Sequence, residues 1–178
     1  MTSDEALMLE FQRGSRDAFE ELFARYREPL YGFFRRRLDG NERAEDLTQE
    51  TFLAAIRARS RYEPRALVRT YFYGIALKLL AAERRSQARN APPAGPVPEP
   101  GKDDATEEVL WLRQALGRLD PQEREILMLR EYEQLSYAEI AGLLRLPVNT
   151  VRSRLFRSRM ALKDQLLRVE AKPAPEEV

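Results

Sequence analysis

Apolar residues in the first part of the chain recur at three- and four-residue steps: Phe19, Leu22, Phe23, Tyr26, Leu30, Phe34 and Leu38. That spacing lays a single stripe along an α-helix. Pro29 falls inside the stripe and should kink it, because proline lacks a backbone N–H and crowds the preceding turn. Asp39-Gly40-Asn41 stops the run and offers Asn41 as the cap of the next helix. A second stripe follows in Leu47, Thr51, Phe52, Ala55 and Ile56. After a break at Ser60 to Arg65, which contains Pro64, a third stripe comprises Val68, Tyr71, Phe72, Ile75, Ala76 and Leu79.

Helix starts are marked more sharply in the C-terminal part. Asp120-Pro121-Gln122-Glu123 places an N-cap, a proline at the first helical position and an acid at the third. Ser136-Tyr137-Ala138-Glu139 is a second capping box. That helix ends at Leu143-Leu144, before Arg145-Leu146-Pro147, and a final helix runs from near Asn149 through Leu166. Two helices separated by a three-residue turn predict a helix-turn-helix. Ile140, Ala141 and Leu144 should face inward from the first helix. Val151 and Leu155 should do so from the second, with Leu162 and Leu166 continuing the stripe. Arg145 stands where such turns favour glycine, because the position often takes a positive φ. No strand-like alternation and no internal repeat interrupt the pattern.

Between these parts, APPAGPVPEPGKDDATEE (residues 91–108) holds five prolines and two glycines, with one lysine against five acids. Such a stretch cannot build a core and is expected to form a semi-rigid linker. The expected architecture is therefore all-α. Two small helical domains, residues 1–90 and 109–170, are joined by the proline-rich segment 91–108, and a disordered tail occupies 171–178.

The chain has 178 residues, 43% of them apolar, which is enough for real cores. It contains no His and its Cys count is 0. This excludes thiol chemistry, disulfides and zinc held by Cys or His, and removes the commonest general base. No metal or cofactor is expected. The N-terminus MTSDEALMLEF lacks a signal-peptide layout, and no apolar run is long enough to cross a bilayer. No membrane insertion is expected, and the expected location is cytoplasmic.

The net charge is only +1, but the charge is unevenly placed. Residues 145–168 carry seven Lys or Arg against Asp164 alone. The outward face of the last helix would present Asn149, Thr150, Arg152, Ser153, Arg154, Arg157 and Ser158. A basic helix with small polar residues at its N-terminal end suits a DNA major groove. A merely solvated face is the plain alternative. Residues 61–89 carry Arg61, Arg65, Arg69, Lys78, Arg84, Arg85 and Arg89 against Glu63 and Glu83, interleaved with Tyr62, Tyr71, Phe72 and Tyr73. Cations that hold a backbone, with rings that stack on bases, suit single-stranded nucleic acid. For Phe72 and Ile75, burial in the core is the expected role.

These motifs resemble a known family. Leu135-Ser136-Tyr137-Ala138-Glu139-Ile140-Ala141, with Thr150-Val151-Arg152-Ser153-Arg154-Leu155 and Arg157-Ser158-Arg159, is similar to region 4 of the extracytoplasmic-function sigma factors of the sigma-70 family. Ala44-Glu45-Asp46-Leu47-Thr48-Gln49-Glu50-Thr51-Phe52 resembles their region 2.2, and Arg69 to Ala76 resembles the stretch from region 2.3 to 2.4. The order of the motifs agrees, and the resemblance covers most of residues 15–166. The chain departs from the family pattern at Tyr71 (often Trp), Lys78 (often Asn), Ala82 (often Asp) and Asn149 (often Gly). Lys78 falls in the promoter-reading stretch, so the minus-ten preference should not be inherited from relatives, whereas Asn149 is a good N-cap and is expected to preserve the helix start.

The resemblance implies a sigma factor that docks on core RNA polymerase and directs promoter-specific initiation. Asp46, Leu47, Gln49 and Glu50 would bind the clamp coiled-coil of the largest subunit, and region 4 would meet the flap. Arg61, Tyr62, Arg65, Arg69, Tyr73, Lys78 and Arg85 would act at the minus-ten element, with an unpaired base held by the break at 60–68. Asn149, Thr150, Arg152, Ser153, Arg154, Phe156 and Arg157 would act at the minus-thirty-five element, Thr150 and Arg154 chiefly on phosphates. Partners would be core polymerase, duplex and single-stranded promoter DNA, and an anti-sigma factor. Two rivals are a helix-turn-helix regulator acting without polymerase and a carboxylate-based nucleic-acid hydrolase. The acidic helix followed by a basic, aromatic stretch speaks against the first. The second has no metal-like cluster of acids in the sequence.

Overall fold

In the computed structural model of the chain, residues 2–65, 67–90 and 106–170 are described; the expected linker over 91–105 and the expected tail over 171–178 lie outside them. The regular elements among the described residues are all helical, with no strand. The chain divides into two compact units, Met1–Gly101 and Lys102–Val178.

The first unit contains α1 (Asp4–Gln12), α2 (Arg16–Arg35), α3 (Asn41–Ala58), a 3₁₀ turn (Arg59–Arg61) and α4 (Val68–Asn90). Helix α1 is absent from the stripes read in the sequence. Ser3 caps it by accepting from the Ala6 N–H, and Leu7, Met8 and Phe11 are buried. Ser15 caps α2 in the same way. The α2 helix continues through Pro29 to Arg35, burying Leu22, Tyr26, Leu30, Phe33 and Phe34. Phe23, expected in that stripe, is 37% exposed.

Asn41 does not cap α3 but is its first residue. The N-cap is Gly40 at φ 92°, with no side-chain cap hydrogen bond. Only glycine adopts that conformation at little cost, so the stop signal and the cap coincide in one residue. Leu47, Thr51, Phe52 and Ala55 are buried as the spacing predicts. The hydroxyls of Thr48 and Thr51 are satisfied within the helix, donating to the Ala44 and Leu47 carbonyls at 2.7 Å each. Rings from three helices meet at Phe52, 4.7 Å from Phe23 and 5.5 Å from Phe72 between centroids.

The second unit contains α5 (Glu107–Gly117), α6 (Pro121–Glu131), α7 (Tyr137–Leu144) and α8 (Val148–Glu170). Glu107 and Glu108, assigned to the linker from composition, begin α5. Asp120 caps α6 by accepting from the Gln122 and Glu123 N–H groups, and Ser136 and Glu139 close the full capping box of α7. Ile126, Leu129, Leu135, Ile140, Val151 and Leu155 form the core at 0–1% exposure.

The turn between α7 and α8 has the expected backbone. Arg145 is left-handed at φ 54°, ψ 46°, and its N–H returns to the Ala141 carbonyl. Pro147 accepts from the Thr150 and Val151 N–H groups. Asn149 is consequently the second residue of α8 and not its cap. A left-handed L-residue costs about 1–2 kcal/mol, part of which a glycine would return through the freedom it gives the unfolded chain. Arg145→Gly should therefore stabilise the second unit by about 0.5–1 kcal/mol, measured as a higher urea midpoint with an unchanged slope.

Candidate nucleic-acid and polymerase-binding surfaces

Helix α3 has a buried edge and a wet edge. Leu47, placed by its motif among the docking residues, is 1% exposed and belongs to the core. Leu47 cannot reach a partner without the helix unpacking. Asp46, Gln49 and Glu50 lie on the outer side, the two carboxylate side chains 54% and 45% exposed. Leu53, one turn beyond Gln49, is 48% exposed and joins this face. Leu53 lies one residue beyond the motif Ala44 to Phe52, so motif matching did not reach it.

The acidic face is not bare. Arg43 lies 3.5 Å from Asp46 and 3.4 Å from Glu50, and makes its shortest ion pair, 2.6 Å, to Glu83 on α4. That hydrogen bond raises the guanidinium pKa above its ordinary value and lowers that of Glu83. One arginine thus joins the outer face of α3 to α4.

The basic stretch after α3 is only partly aromatic at its surface. Arg61 and Arg65 are exposed in the break, and Lys78 and Arg85 are exposed on α4. Tyr62 and Tyr73 are 4% and 3% exposed, so neither ring can stack on a base. Tyr62 packs edge-on to Tyr71 at 5.3 Å, and Tyr73 lies 5.6 Å from Phe33. Burial, with Glu5 adding to it, pushes the Tyr62 phenol up. Arg69 is half-buried at the start of α4. Tyr71 is half-buried too, and its shielded hydroxyl has no hydrogen-bond partner among the described residues. Along α4, Tyr71, Ile75, Lys78, Ala82 and Arg85 fall on one helical face by spacing. That face changes from ring to cation towards its C-terminal end.

On α8 the spacing of Asn149, Arg152, Ser153 and Phe156 places them on one outward stripe. All four are exposed, Phe156 by 65%. Thr150, Arg154 and Arg157 form the neighbouring stripe, which turns towards the start of α6. There the Arg154 guanidinium donates to Gln122, and Arg157 pairs with Glu123 at 3.1 Å. Glu123 therefore spends its carboxylate on α8. Ser158, expected to face outward, is 0% exposed. Its hydroxyl lies within bonding distance of the Arg154 and Glu123 carbonyls, 2.7 Å and 3.1 Å away, and so fixes α8 against α6.

The far end of α8 does not close a core. Leu162 is half-buried and Leu166 is 36% exposed. With Leu112, Leu116, Leu127, Met128 and Tyr132 they line an open apolar groove of about 430 Å³ between α5, α6 and α8. Among the described residues no group of acids could hold a metal ion, and no helix is long and apolar enough to cross a membrane.

A helix-turn-helix with a cationic outward stripe, together with a second helical unit bearing a basic face and an acidic one, defines a modular DNA-binding protein. Residues 22–90 match the family model of sigma-70 region 2, and residues 110–162 that of sigma-70 region 4. The chain is 31% identical to RNA polymerase sigma-H factor of Pseudomonas aeruginosa, over 92% of this chain and 93% of that one. It is 30% identical to the ECF RNA polymerase sigma-E factor of Salmonella typhimurium, over 92% and 94%. The solved structure of CnrH in complex with the cytosolic domain of CnrY superposes with a TM-score of 0.75 at 27% identity, covering 93% of this chain and 97% of that one. The chain belongs to the sigma-70 family, as an RNA polymerase sigma factor of the extracytoplasmic-function group. A regulator acting without polymerase is not favoured, because the first unit carries the region 2 match.

The Arg43–Glu83 contact is pH-sensitive in a defined direction. The Glu83 carboxyl is held below its ordinary 4.5, so the folded state binds that proton less readily than the unfolded one. The resulting stabilisation is complete above the ordinary value and is lost as pH falls through the lowered one. Acid denaturation followed by circular dichroism should show a shallower loss of first-unit stability below about pH 4.5 for Glu83→Gln than for the parent chain.

Proposed function

We propose that this sigma factor divides promoter recognition among four surfaces. The exposed edge of α3, with Asp46, Gln49, Glu50 and Leu53, grips the clamp coiled-coil of the polymerase largest subunit. Arg61 and Arg65, with Arg69, Lys78 and Arg85 along α4, act on the minus-ten element. The α8 stripe of Asn149, Arg152, Ser153 and Phe156 enters the major groove at the minus-thirty-five element. Thr150, Arg154 and Arg157 hold phosphates there once their intramolecular partners are exchanged. The apolar groove between α5, α6 and α8 receives the polymerase flap. The observation that carries this reading is the exposed α8 stripe: a 65%-exposed Phe156 flanked by Arg152 and Ser153 has no packing role and fits a base edge with a methyl group.

This division requires no bond chemistry by the chain, no cofactor and no metal, and places the protein with polymerase in the cytoplasm. Residues 91–106 serve as the tether between the domains. Each domain alone binds DNA weakly, and joint capture by polymerase raises the effective concentration of the second. CnrH is solved with the cytosolic domain of a second protein. By analogy, an anti-sigma protein covering these surfaces is the expected antagonist.

The surfaces are separable by experiment. Asp46→Ala with Gln49→Ala should abolish pull-down by core polymerase while the isolated chain keeps its weak DNA affinity. Arg152→Ala with Phe156→Ala should leave pull-down intact and lower promoter occupancy roughly tenfold or more. Holoenzyme binding to promoter DNA should also weaken steeply with salt. Identical behaviour of the two double variants, or binding indifferent to salt, would remove the assignment.

A further inference from the structure

Helix α1 lies outside the region 2 match, which begins at residue 22, yet it reaches the connection between α3 and α4 at both ends. Gln12 is its last residue. The Gln12 side-chain amide donates to the Arg59 carbonyl at 2.7 Å and to the Tyr62 carbonyl at 2.8 Å. These carbonyls mark the two ends of the 3₁₀ turn Arg59–Arg61, which Tyr62 terminates. A primary amide has two N–H donors, and both are spent on this turn. Beside it, the Arg59 guanidinium lies over the Phe11 ring, 5.5 Å from its centroid. At the other end of α1, Glu5 accepts from the Val68 N–H at 3.4 Å. Val68 begins α4, where backbone N–H groups lack partners within the helix.

We infer that Gln12 is a positioning residue for minus-ten recognition, holding the 3₁₀ turn so that Arg61 and Arg65 meet DNA in one geometry, with Glu5 fixing the start of α4. The inference rests on the proposal that this connection reads the minus-ten element. Short surface turns sample several conformations unless tied down, and recognition pays for that ordering on binding. Clamping both ends of the turn from a separate helix removes part of that cost beforehand. Gln12 is itself half-exposed, and the packing of α1 rests on Leu7, Met8 and Phe11. Losing the amide therefore spares the fold and frees the turn.

The test uses the full chain with core polymerase from the same organism and a pool of linear templates randomised across the promoter region, with productive templates sequenced. Gln12→Met keeps the chain length and removes both donors. It should flatten the minus-ten base preference roughly tenfold, the scale of one or two neutral hydrogen bonds. Upstream preference, core pull-down and melting temperature should stay unchanged. Gln12→Glu, which sets a carboxylate against two carbonyls, should flatten it further. Arg61→Ala with Arg65→Ala is the reference arm. If that arm alters minus-ten preference and Gln12→Met does not, the positioning role is overturned while the assignment of the connection stands. If neither alters it, that assignment falls, and the positioning role with it. Uniformly lower output with unchanged base preference would mark Gln12 as a structural anchor only, and would also overturn the inference.

Discussion

The burial of Phe52 sets what the first unit can offer a partner. Its ring lies against Phe23 of α2 and Phe72 of α4 and, with Leu47, Thr51 and Ala55, seats one edge of α3 between its neighbours. With 3.6 residues per turn, fixing that edge fixes the opposite one. Asp46, Gln49 and Leu53 are outside because Leu47 and Phe52 are inside. Phe72 extends the same constraint to α4, where burying Val68, Phe72, Ala76 and Leu80 leaves Lys78 and Arg85 in solvent. The exposed face of α3 and the basic face of α4 are thus two outer faces of one packing arrangement.

The second unit solves the same problem with polar anchoring as well as apolar burial. Val151 and Leu155 seat α8, and the fully buried Ser158 hydroxyl meets carbonyls of α6 and α8. Arg154 and Arg157 then lean on the first turn of α6. This leaves the stripe from Asn149 to Phe156 unsupported on its outer side. A recognition helix needs that combination: a rigid back, and side chains in front, here Asn149, Arg152 and Phe156, that stand in solvent.

What was legible in the sequence was local. The caps at Asp120 and Ser136, the left-handed position at Arg145 and the inward faces of α7 and α8 follow from residue types within four positions of one another. The errors are of two kinds. Asn41 became the first residue of its helix and Asn149 the second, because Gly40 and Pro147 took the cap positions. Tyr62, Tyr73 and Leu47 were assigned to partners but are buried. Motif spacing says which residues share a helix face, not how many neighbours cover it. Phe33 packs on Tyr73, and Tyr71 packs on Tyr62. The contacts of Gln12 span 47 and 50 residues and leave no periodic trace. Helix α1 carries a local signal of the same kind, Ser3-Asp4-Glu5 followed by Leu7, Met8 and Phe11, but was not among the stripes read in the sequence.

The open groove of Leu112, Leu116, Leu127 and Leu162 has thermodynamic properties opposite to those of the cationic stripe on the same unit. Apolar association is insensitive to ionic strength and carries a negative heat-capacity change, whereas phosphate contacts are driven by released counterions. A rise in salt would therefore loosen the proposed grip of the second unit on DNA while leaving whatever occupies the groove in place. On the proposed assignment of these two surfaces, such a factor would leave its promoter without leaving the polymerase that carried it there.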